Sequence, residues 1–375
     1  MIFFLLAFFL ASCYLLIHLY YSFCPENASK KVKASVILGF YLIVFGPIFM
    51  HPLRFWLGIT FPEVLQFILY LISAAFLTLF LLYLFTDILK LIRLYPKSWK
   101  KHERKEGIAF MVISVFITLC GYINAMTPTA TEYDIAVSKP HKDFIIAVMS
   151  DLHIGGLNMT PAKLSQAVEI VNAANPDLVM FVGDTLDGKS SADVFTKDNY
   201  GDILSRFKAK YGVFAVMGNH EYYTNSTEAD AELIQNTGIK LLRDESVYIQ
   251  PLGTYLVGRE DRAKNSRGIG EVLPLAKIMP QNSQKDDLII VFAHNPKVVS
   301  DSVAEKADIQ ISGHTHNGQL FPLNLILREM YEITWGLKKI EDTVLFVSSG
   351  LGQWGPPVRT SAVSEIAFIK IKSAE

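Results

Sequence analysis

The sequence predicts an N-terminal membrane region followed by an α/β domain. The first observation is the distribution of hydrophobic residues, which make up 51% of the 375 residues and are concentrated in residues 1–126. The second is that short apolar runs alternate with segments of helical spacing from about residue 143 onward, as strands and helices do in an α/β domain. The third is that motifs rich in histidine and aspartate directly follow several of these apolar runs, where open α/β sheets bind their ligands.

Four uncharged stretches are long enough to cross a bilayer, whose hydrocarbon core requires about 20 helical residues. The second is the weakest, because it contains Gly46-Pro47 and His51-Pro52. The first could instead be a cleaved signal, but it lacks a basic segment before the apolar run, and the run continues to Phe23. We therefore expect it to be retained. The spans are predicted at about residues 1–23, 34–53, 64–86 and 107–126.

The basic residues predict how these spans are oriented. They cluster between the first and second spans and between the third and fourth, whereas the segment between the second and third holds only Arg54 and Glu63. Because cytoplasmic loops are enriched in lysine and arginine, the N-terminus and the domain after the fourth span should lie outside the cytoplasm. The sequence thus predicts a multi-pass cell-membrane protein. The basic clusters are Lys30, Lys31 and Lys33, and Lys90, Arg93, Lys97, Lys100, Lys101, Arg104 and Lys105.

An anchor is the expected role of the spans. None of them carries a charged side chain in its middle, and such charges are typical of transport paths. A role in presenting or sensing lipid is the alternative. Membrane lipids are therefore expected partners, whereas a net charge of −1 gives no electrostatic argument for nucleic acid.

The rest of the chain is predicted as a polar linker over residues 127–142 and a domain over residues 143–375. Pro161–Ala174 has helical spacing, with Thr160 as its N-cap. The last strand is predicted to alternate between buried and exposed residues, and the others are predicted to be buried. The three cysteines all lie in the membrane region, so the domain has no disulfide framework. The strands are predicted at residues 144–150, 177–182, 213–217, 288–293, 309–312, 343–348 and 363–371.

Five motifs at the ends of these strands contain five of the nine histidines of the chain. Imidazoles and carboxylates are ligands of divalent transition metals. In Asp-x-His and His-x-His, the alternation of side chains along a strand would place both ligands on one face. The motifs are Asp151-Leu152-His153, Gly183-Asp184 with Asp187 three residues later, Gly218-Asn219-His220-Glu221, Ala293-His294, and Gly313-His314-Thr315-His316.

In residues and order, the set resembles the calcineurin-like metallophosphoesterase superfamily over about residues 143–373. The segment from Ser349 to Arg359 also resembles the bacterial membrane-attached branch of that superfamily. The resemblance implies a β-sandwich flanked by helices and a centre of two divalent metals; the ligand types suit manganese, iron or zinc better than calcium. Carried over by position, Asp151, His153 and His316 would bind the first metal, Asn219, His294 and His314 the second, and Asp184 both.

The resemblance also implies a reaction. Two metals about 3.5–4 Å apart can activate a bridging hydroxide for in-line attack on a phosphate. His220 would then protonate the leaving group, and Asp187 would orient His220. Glu221 is expected to brace the loop, Asp177 to sit at the entry of a strand, and Asp261 is a candidate neighbour of the site. Because no arginine follows Asp187, a phosphoprotein phosphatase is disfavoured.

The substrate is predicted only as a class: a phosphomonoester, a phosphodiester or a pyrophosphate. Residues 320–339 follow the last ligands and combine apolar side chains with Arg328, Lys338 and Lys339, which suits contact with lipid phosphates. A lipid-linked substrate is therefore one candidate, although a loop packed over the site is the simpler interpretation of this segment. Two alternatives remain: a catalytically silent metal-binding sensor or scaffold, and an extracellular nucleotidase or nuclease, against which the lack of a basic stripe argues.

Overall fold

A computed structural model describes residues 2–24, 27–41, 62–96, 103–139, 141–187, 195–223 and 226–373. The chain divides into two compact units. The first contains Met1–Ile123 and Pro356–Val358, and the second contains Asn124–Gly355 and Arg359–Glu375.

The first unit is built from long apolar helices: α1 (Ile2–Phe23), α2 (Glu63–Leu91) and α3 (Glu103–Met126), of which α3 extends into the second unit. Residues 30–41 are also helical. Helices α2 and α3 run antiparallel, since Tyr83 packs on Phe110 with ring centroids 5.1 Å apart and Phe67 packs on Tyr122 at 5.6 Å. Many of their large apolar side chains are exposed, as expected for helices whose solvent is lipid.

Two of the four predicted spans coincide with helices long and apolar enough to cross a membrane, Glu63–Leu91 and Arg104–Met126. The first predicted span coincides with α1, whose apolar segment Phe9–Phe23 is shorter than these two. The second, residues 34–53, lies mostly outside the described residues, because residues 42–61 are not described. The count of four spans therefore stays a prediction.

The second unit contains two six-stranded mixed sheets with the orders β1-β12-β2-β3-β4-β5 and β10-β11-β9-β8-β7-β6. In the first, β2, β3 and β4 are parallel, and in the second, β7, β8, β9 and β11 are parallel. The strands are β1 (Pro128–Val137), β2 (Phe144–Met149), β3 (Leu178–Val182), β4 (Val213–Val216), β5 (Lys240–Leu241), β6 (Glu245–Ile249), β7 (Thr254–Gly258), β8 (Leu288–Phe292), β9 (Ile309–Ser312), β10 (Gly336–Ile340), β11 (Thr343–Val347) and β12 (Ser364–Ser373).

Helices cover the outer faces of the two sheets. Alternate residues of β2 face opposite layers, so Ile146 and Val148 lie between the sheets while Ala147 and Met149 pack toward helix α4. Leu275 and other residues of α8 cover the far side of the second sheet. The prediction of an α/β sandwich flanked by helices is thus confirmed for this unit. Its helices are α4 (Pro161–Ala174), α5 (Tyr200–Leu204), α6 (Thr227–Gln235), α7 (Ala263–Ser266), α8 (Leu275–Ile278), α9 (Val299–Ala304) and α10 (Leu323–Leu327).

Helix α4 has the predicted bounds, and Thr160 Oγ1 accepts a hydrogen bond from the Lys163 N–H (3.1 Å), as an N-cap does. Each of the seven predicted strands is also present, with ends shifted by at most two residues. The buried runs that predicted these strands lie in the two cores, which explains why their hydrophobicity was a reliable signal.

The predicted linker is wrong for residues 128–137, which form strand β1. This strand pairs in parallel with β12 from Pro128↔Ser364 to Val137↔Ser373. It lies at the edge of its sheet and alternates between exposed and partly buried residues, so its polar composition imitates a linker. Because β1 covers one side of β12 and β2 the other, β12 is an interior strand and its first six residues are buried rather than alternating.

Candidate metal centre

The loops after five parallel strands bring all the predicted ligand residues to one edge of the two sheets. Asp151 and His153 follow β2, Asp184 follows β3, Asn219 follows β4, His294 follows β8, and His314 and His316 follow β9. Among the described residues, three groups of side chains could each hold a metal, with the ligand atoms of a group within 4.8 Å of one another. The first is Asp151, His153 and His316, the second is Asp184, His294 and His314, and the third is His153, Asp187 and His220, which shares His153 with the first.

The backbone of these loops is not extended, so strand alternation does not explain why the ligands share a face. Five ligand residues have positive φ: Asp151 (57°), His153 (52°), Asp184 (51°), His314 (72°) and His316 (49°). Residues other than glycine rarely adopt this conformation, and such strain concentrates at functional sites. The ligands therefore converge through tight left-handed turns, which the predicted spacing did not reveal.

Two motif glycines are required by close approach of neighbouring chains. A Cβ at Gly218 would collide with the backbone and carboxylate of Asp184, and a Cβ at Gly313 would collide with Ser150 and Asp151. These glycines let the loops after β4 and β9 pack directly against the ligand loops after β3 and β2.

In the first group, Asp151 is oriented by hydrogen bonds to only one of its carboxylate oxygens. Its Oδ2 accepts from the Ser150 hydroxyl (2.5 Å) and the His314 N–H (3.0 Å). Its Oδ1 lies 3.2 Å from His316 Nε2, and His153 Nε2 is 3.3 Å from the same nitrogen. All three ligand side chains are buried.

In the second group, the orientation of His294 is fixed from behind. Its Nδ1 donates to the Val182 carbonyl (2.8 Å), while its Nε2 lies 3.1 Å from Asp184 Oδ2 and 3.2 Å from His314 Nδ1. A carbonyl that accepts from one imidazole nitrogen is the usual arrangement behind a metal-binding histidine. Asn219 directly precedes His220, whose N–H donates to Asp184 Oδ1 (2.8 Å).

The residues fit a pair of divalent cations. Among the described residues, the buried atoms Asp151 Oδ1 and Asn219 Oδ1 have no hydrogen-bond partner, and a buried polar atom is costly to leave in that state. Burial raises the pKa of Asp151 and Asp184, but the neighbouring imidazoles hold both well below their usual range. Burial lowers the pKa of His153 and His314 to about 4. Burial also disfavours the charged form of His294, but the carboxylates of Asp184 and Asp151 raise its pKa well above the usual value, so a metal there would displace a proton. Charged carboxylates and neutral imidazoles are the forms that bind such metals.

His220 and Asp187 form a pair beside these groups. His220 Nδ1 lies 2.8 Å from Asp187 Oδ1, and His220 Nε2 lies 3.9 Å from Asp184 Oδ2. Burial disfavours the imidazolium, but the hydrogen bond to Asp187 and the charge of Asp184 raise the pKa of His220 to about 9. This shift favours the protonated imidazole, whose Nε2 faces the ligands. The predicted pairing of Asp187 with His220 is present.

Comparison with known proteins agrees with this geometry. A family model described as calcineurin-like phosphoesterase matches residues 144–318. An uncharacterized metallophosphoesterase of Campylobacter jejuni is 33% identical over 270 residues, which cover 71% of this chain and 69% of that protein. The chain belongs to the calcineurin-like phosphoesterases. It is accordingly a metal-dependent phosphoesterase of a family that uses dimetal centres.

Two further relatives of this phosphoesterase bear on the rest of the chain. A transmembrane protein with a metallophosphoesterase domain from Danio rerio is 28% identical over 389 residues, covering 97% of this chain and 87% of that protein. An uncharacterized metallophosphoesterase of Helicobacter pylori is 29% identical over 280 residues, covering 72% and 73%. Together with the two apolar helices, the transmembrane relative indicates a membrane protein.

Glu221 braces the phosphoesterase site, as predicted. Its carboxylate accepts from the N–H groups of Gly218 (2.7 Å), Leu186 (2.9 Å) and Asp184 (3.2 Å). These bonds hold the loops after β3 and β4 together. Because both carboxylate oxygens are occupied by backbone donors, Glu221 supports the ligands from behind rather than facing a substrate.

The two other predicted acidic residues also have definite places. Asp177 Oδ2 accepts from the Ile145 N–H (2.9 Å), which links the beginnings of β3 and β2 as expected for a strand-entry residue. Asp261 is buried and close enough to His294 for each to affect the pKa of the other. Its Oδ1 accepts from the Ala263 N–H (2.8 Å), so it holds the turn that leads into the short helix α7.

Three functional candidates had no assigned role in the sequence. Tyr331 has its ring 6.3 Å from that of His314, and Lys297 Nζ lies 4.8 Å from the Tyr331 ring centroid. Arg359 is buried, and its Nη2 lies 3.4 Å from His316 Nδ1. The only available signal was that Arg359 ends the segment resembling the membrane-attached branch; nothing local marked Tyr331 or Lys297.

Proposed function

We propose that this phosphoesterase is anchored in the membrane and hydrolyses a phosphate ester or anhydride at a centre of two divalent metals. The carboxylate of Asp184 carries the proposal, because its Oδ2 lies 3.1 Å from His294 Nε2 and 4.0 Å from His153 Nε2 and thus faces both groups. The first metal would be held by Asp151, His153 and His316, the second by Asn219, His294 and His314, and both by Asp184.

Metals bound there would supply positive charge to the phosphoryl oxygens and would acidify water; manganese, iron and zinc suit the donor set. The protein itself supplies the proton for the leaving group. His220, whose pKa is raised by Asp187 and Asp184, is held at Nδ1 by Asp187 and presents Nε2 near Asp184. A leaving oxygen within hydrogen-bond reach of Nε2 would take up that proton as its bond to phosphorus breaks.

Hydrolysis of small esters by the full-length protein in detergent tests this function. With Mn²⁺ added, we expect turnover of p-nitrophenyl phosphate or bis-p-nitrophenyl phosphate, and the ratio separates a monoesterase from a diesterase. Asp184→Ala should lower turnover at least about a thousandfold, because it removes the ligand shared by both metals. Turnover that survives in Asp184→Ala would refute the assignment of this residue.

A lipid-linked substrate is favoured by the surface next to His314. A cavity of about 510 Å³ is lined by Lys297, Arg328, Met330 and Tyr331, among others. Phe321 and Ile326, from the same segment, are 50% and 58% exposed. Basic groups beside exposed apolar side chains suit a phosphate that carries an acyl chain.

A comparison of substrates tests this preference. Phosphatidic acid in mixed micelles should be hydrolysed faster than glycerol 3-phosphate, which has the same phosphate without the acyl chains. The double variant Phe321→Ser/Ile326→Ser should reduce that difference and leave p-nitrophenyl phosphate turnover unchanged. Faster hydrolysis of the soluble ester, or of nucleotides, would instead favour a nucleotidase.

Anchoring by four spans, with the domain outside the cytoplasm, completes the proposal. Its support is the alternation of basic and non-basic loops together with helices α2 and α3, which pack antiparallel on either side of the second basic cluster. In sealed right-side-out vesicles, added protease should reach the domain. Cleavage only in inverted vesicles would place the domain in the cytoplasm and refute the predicted orientation.

A further inference from the structure

Arg359 is a buried cation with an unusual set of partners. Only 1% of the residue is exposed, and its guanidinium donates to three backbone carbonyls: Ser349 (2.7 Å), Val363 (2.8 Å) and Gly352. In the described part of the chain no carboxylate is hydrogen-bonded to it. Burying a guanidinium is costly unless other groups compensate, so its position requires an explanation beyond packing.

The groups next to Arg359 belong to the first set of candidate ligands. Its Nη2 lies 3.4 Å from Nδ1 of His316, the imidazole nitrogen turned away from Asp151. The loop that Arg359 binds is itself paired with the ligand loop after β2, because the Gly352 N–H donates to the Asp151 carbonyl (2.9 Å). The Arg359 side chain thus contacts the His316 ring and also binds the loop segment at Gly352 that supports Asp151.

The last residues of helix α3, from Asn124 onward, belong to the second unit, as Arg359 does, and they hold its backbone in place. Asn124 Nδ2 donates to the carbonyls of Arg359 (3.1 Å) and Ala362 (2.8 Å). The next carbonyl, of Ala125, accepts from the buried amine of Lys163 (2.7 Å) and from Gln353 Nε2 (2.6 Å). The last carbonyls of a helix have no partner within the helix, so these side-chain bonds hold the end of α3 to the loop.

We propose that Arg359 is a positioning residue for Asp151 and His316, and that Asn124 holds it in place from the end of helix α3. The inference rests on the proposed two-metal centre, of which these residues form the first half. It predicts a selective effect: loss of Asn124 or Arg359 weakens one metal site and spares the other. A merely structural role would lower stability without that selectivity.

Titration of the metal-free, full-length protein in detergent with Mn²⁺, followed by the EPR signal of free Mn²⁺, measures both affinities. We expect two sites in the wild type. In Asn124→Ala one site should weaken about tenfold, as when outer partners of metal ligands are removed, and the other should not change. The matched control is Asn158→Ala, since Asn158 Nδ2 also donates to two carbonyls of this loop, those of Gln353 (3.1 Å) and Gly355 (3.0 Å).

Two further variants separate charge from geometry and identify the site. Arg359→Gln should weaken the same site as Asn124→Ala, and Arg359→Lys should restore little, because one ammonium cannot reproduce the geometry with which the guanidinium donates to three carbonyls. In a His153→Ala background, which already lacks a ligand of the first half, Asn124→Ala should not weaken the remaining site further.

The outcomes distinguish this inference from the function on which it rests. If the wild type binds no Mn²⁺, the two-metal centre itself is refuted. If the wild type binds two and Asn124→Ala leaves both affinities unchanged, weakens both equally, or behaves like Asn158→Ala, the positioning role is refuted. Asn124→Ala removes only two hydrogen bonds, so the test remains decisive even if Arg359→Gln fails to fold.

Discussion

The two halves of the proposed metal centre are supported by buried side chains of opposite hydrogen-bonding type. Glu221 supports the second half as a carboxyl group that accepts hydrogen bonds from three backbone N–H groups. Arg359 lies behind the first half as a cation that donates to three backbone carbonyls. Glu221 is two residues from the ligand Asn219, whereas Arg359 is 43 residues from the ligand His316. The support of the second half is therefore close in sequence to one of its ligands, whereas the support of the first half reaches its ligand only after the loop before β12 has packed beside it.

The two halves also differ in where the residues proposed for the reaction and the residues that support the ligands lie. In the second half, Asn219, His220 and Glu221 are consecutive: the first two are the proposed ligand and proton donor, and Glu221 braces their loop. The ligands of the first half are more deeply buried. His220 also lies beside this half, because its ring centroid is 4.5 Å from that of His153. Substitution of His220 should therefore affect turnover most strongly, whereas substitution of a support should affect metal affinity most selectively.

Among residues that are not proposed metal ligands, the largest effect on turnover is expected for His220→Ala. With an alkyl phosphate, turnover should fall about 100- to 10,000-fold, because general acid catalysis is lost, while both metals stay bound. With p-nitrophenyl phosphate the loss should be much smaller, since that leaving group departs without a proton. His141→Ala, outside the site, should be without effect. An equal loss on both substrates would contradict the role of His220 as the acid.

The positions of the ligands were predictable from the sequence because each follows a short, buried, hydrophobic strand. Parallel strands end at the same edge of a sheet, so residues far apart in the chain, such as Asp151 and His294, meet there. The alternation of strand side chains was the wrong reason for this convergence, because left-handed turns begin as soon as the strands end.

The burial of Arg359 and the presence of strand β1 could not be predicted from the sequence. The reason is the same for both: each depends on pairing between distant parts of the domain. The polar pattern of β1 becomes a strand only because β12 lies beside it. Arg359 becomes buried only where the loop before β12 returns to the ligands after β2 and β9. Neither pairing leaves a pattern within a short window of sequence, unlike the N-cap of helix α4.

A smaller effect is expected for Glu221→Ala, and it should reverse the selectivity of Asn124→Ala. The substitution leaves buried N–H groups without an acceptor, each at a cost of about 1–3 kcal/mol. The loop that carries Asn219 should loosen, so we expect the second metal site to weaken about tenfold in the same Mn²⁺ titration.

Glu228→Ala is the matched control for Glu221→Ala, because Glu228 is exposed and pairs at the surface with Arg243 (2.6 Å). It should change neither metal affinity nor, beyond about 0.5 kcal/mol, stability. If Glu221→Ala and Asn124→Ala weakened the same site, the two halves would not have separate supports.

The smallest effect is expected for Thr160→Ala, which separates stability from metal affinity. Thr160 caps helix α4, whose residue Lys163 also bonds the end of α3. Loss of the cap should lower the free energy of unfolding by about 1 kcal/mol and the Tm by about 2–4 °C, measured by thermal unfolding in detergent. Thr160→Ser, which keeps the hydroxyl, should restore both. Because the cap contacts neither brace, Mn²⁺ affinities at both sites should not change. A selective loss of one metal in Thr160→Ala would show that general loosening of the domain mimics the effect of Asn124→Ala, and selectivity would then no longer be a sign of positioning.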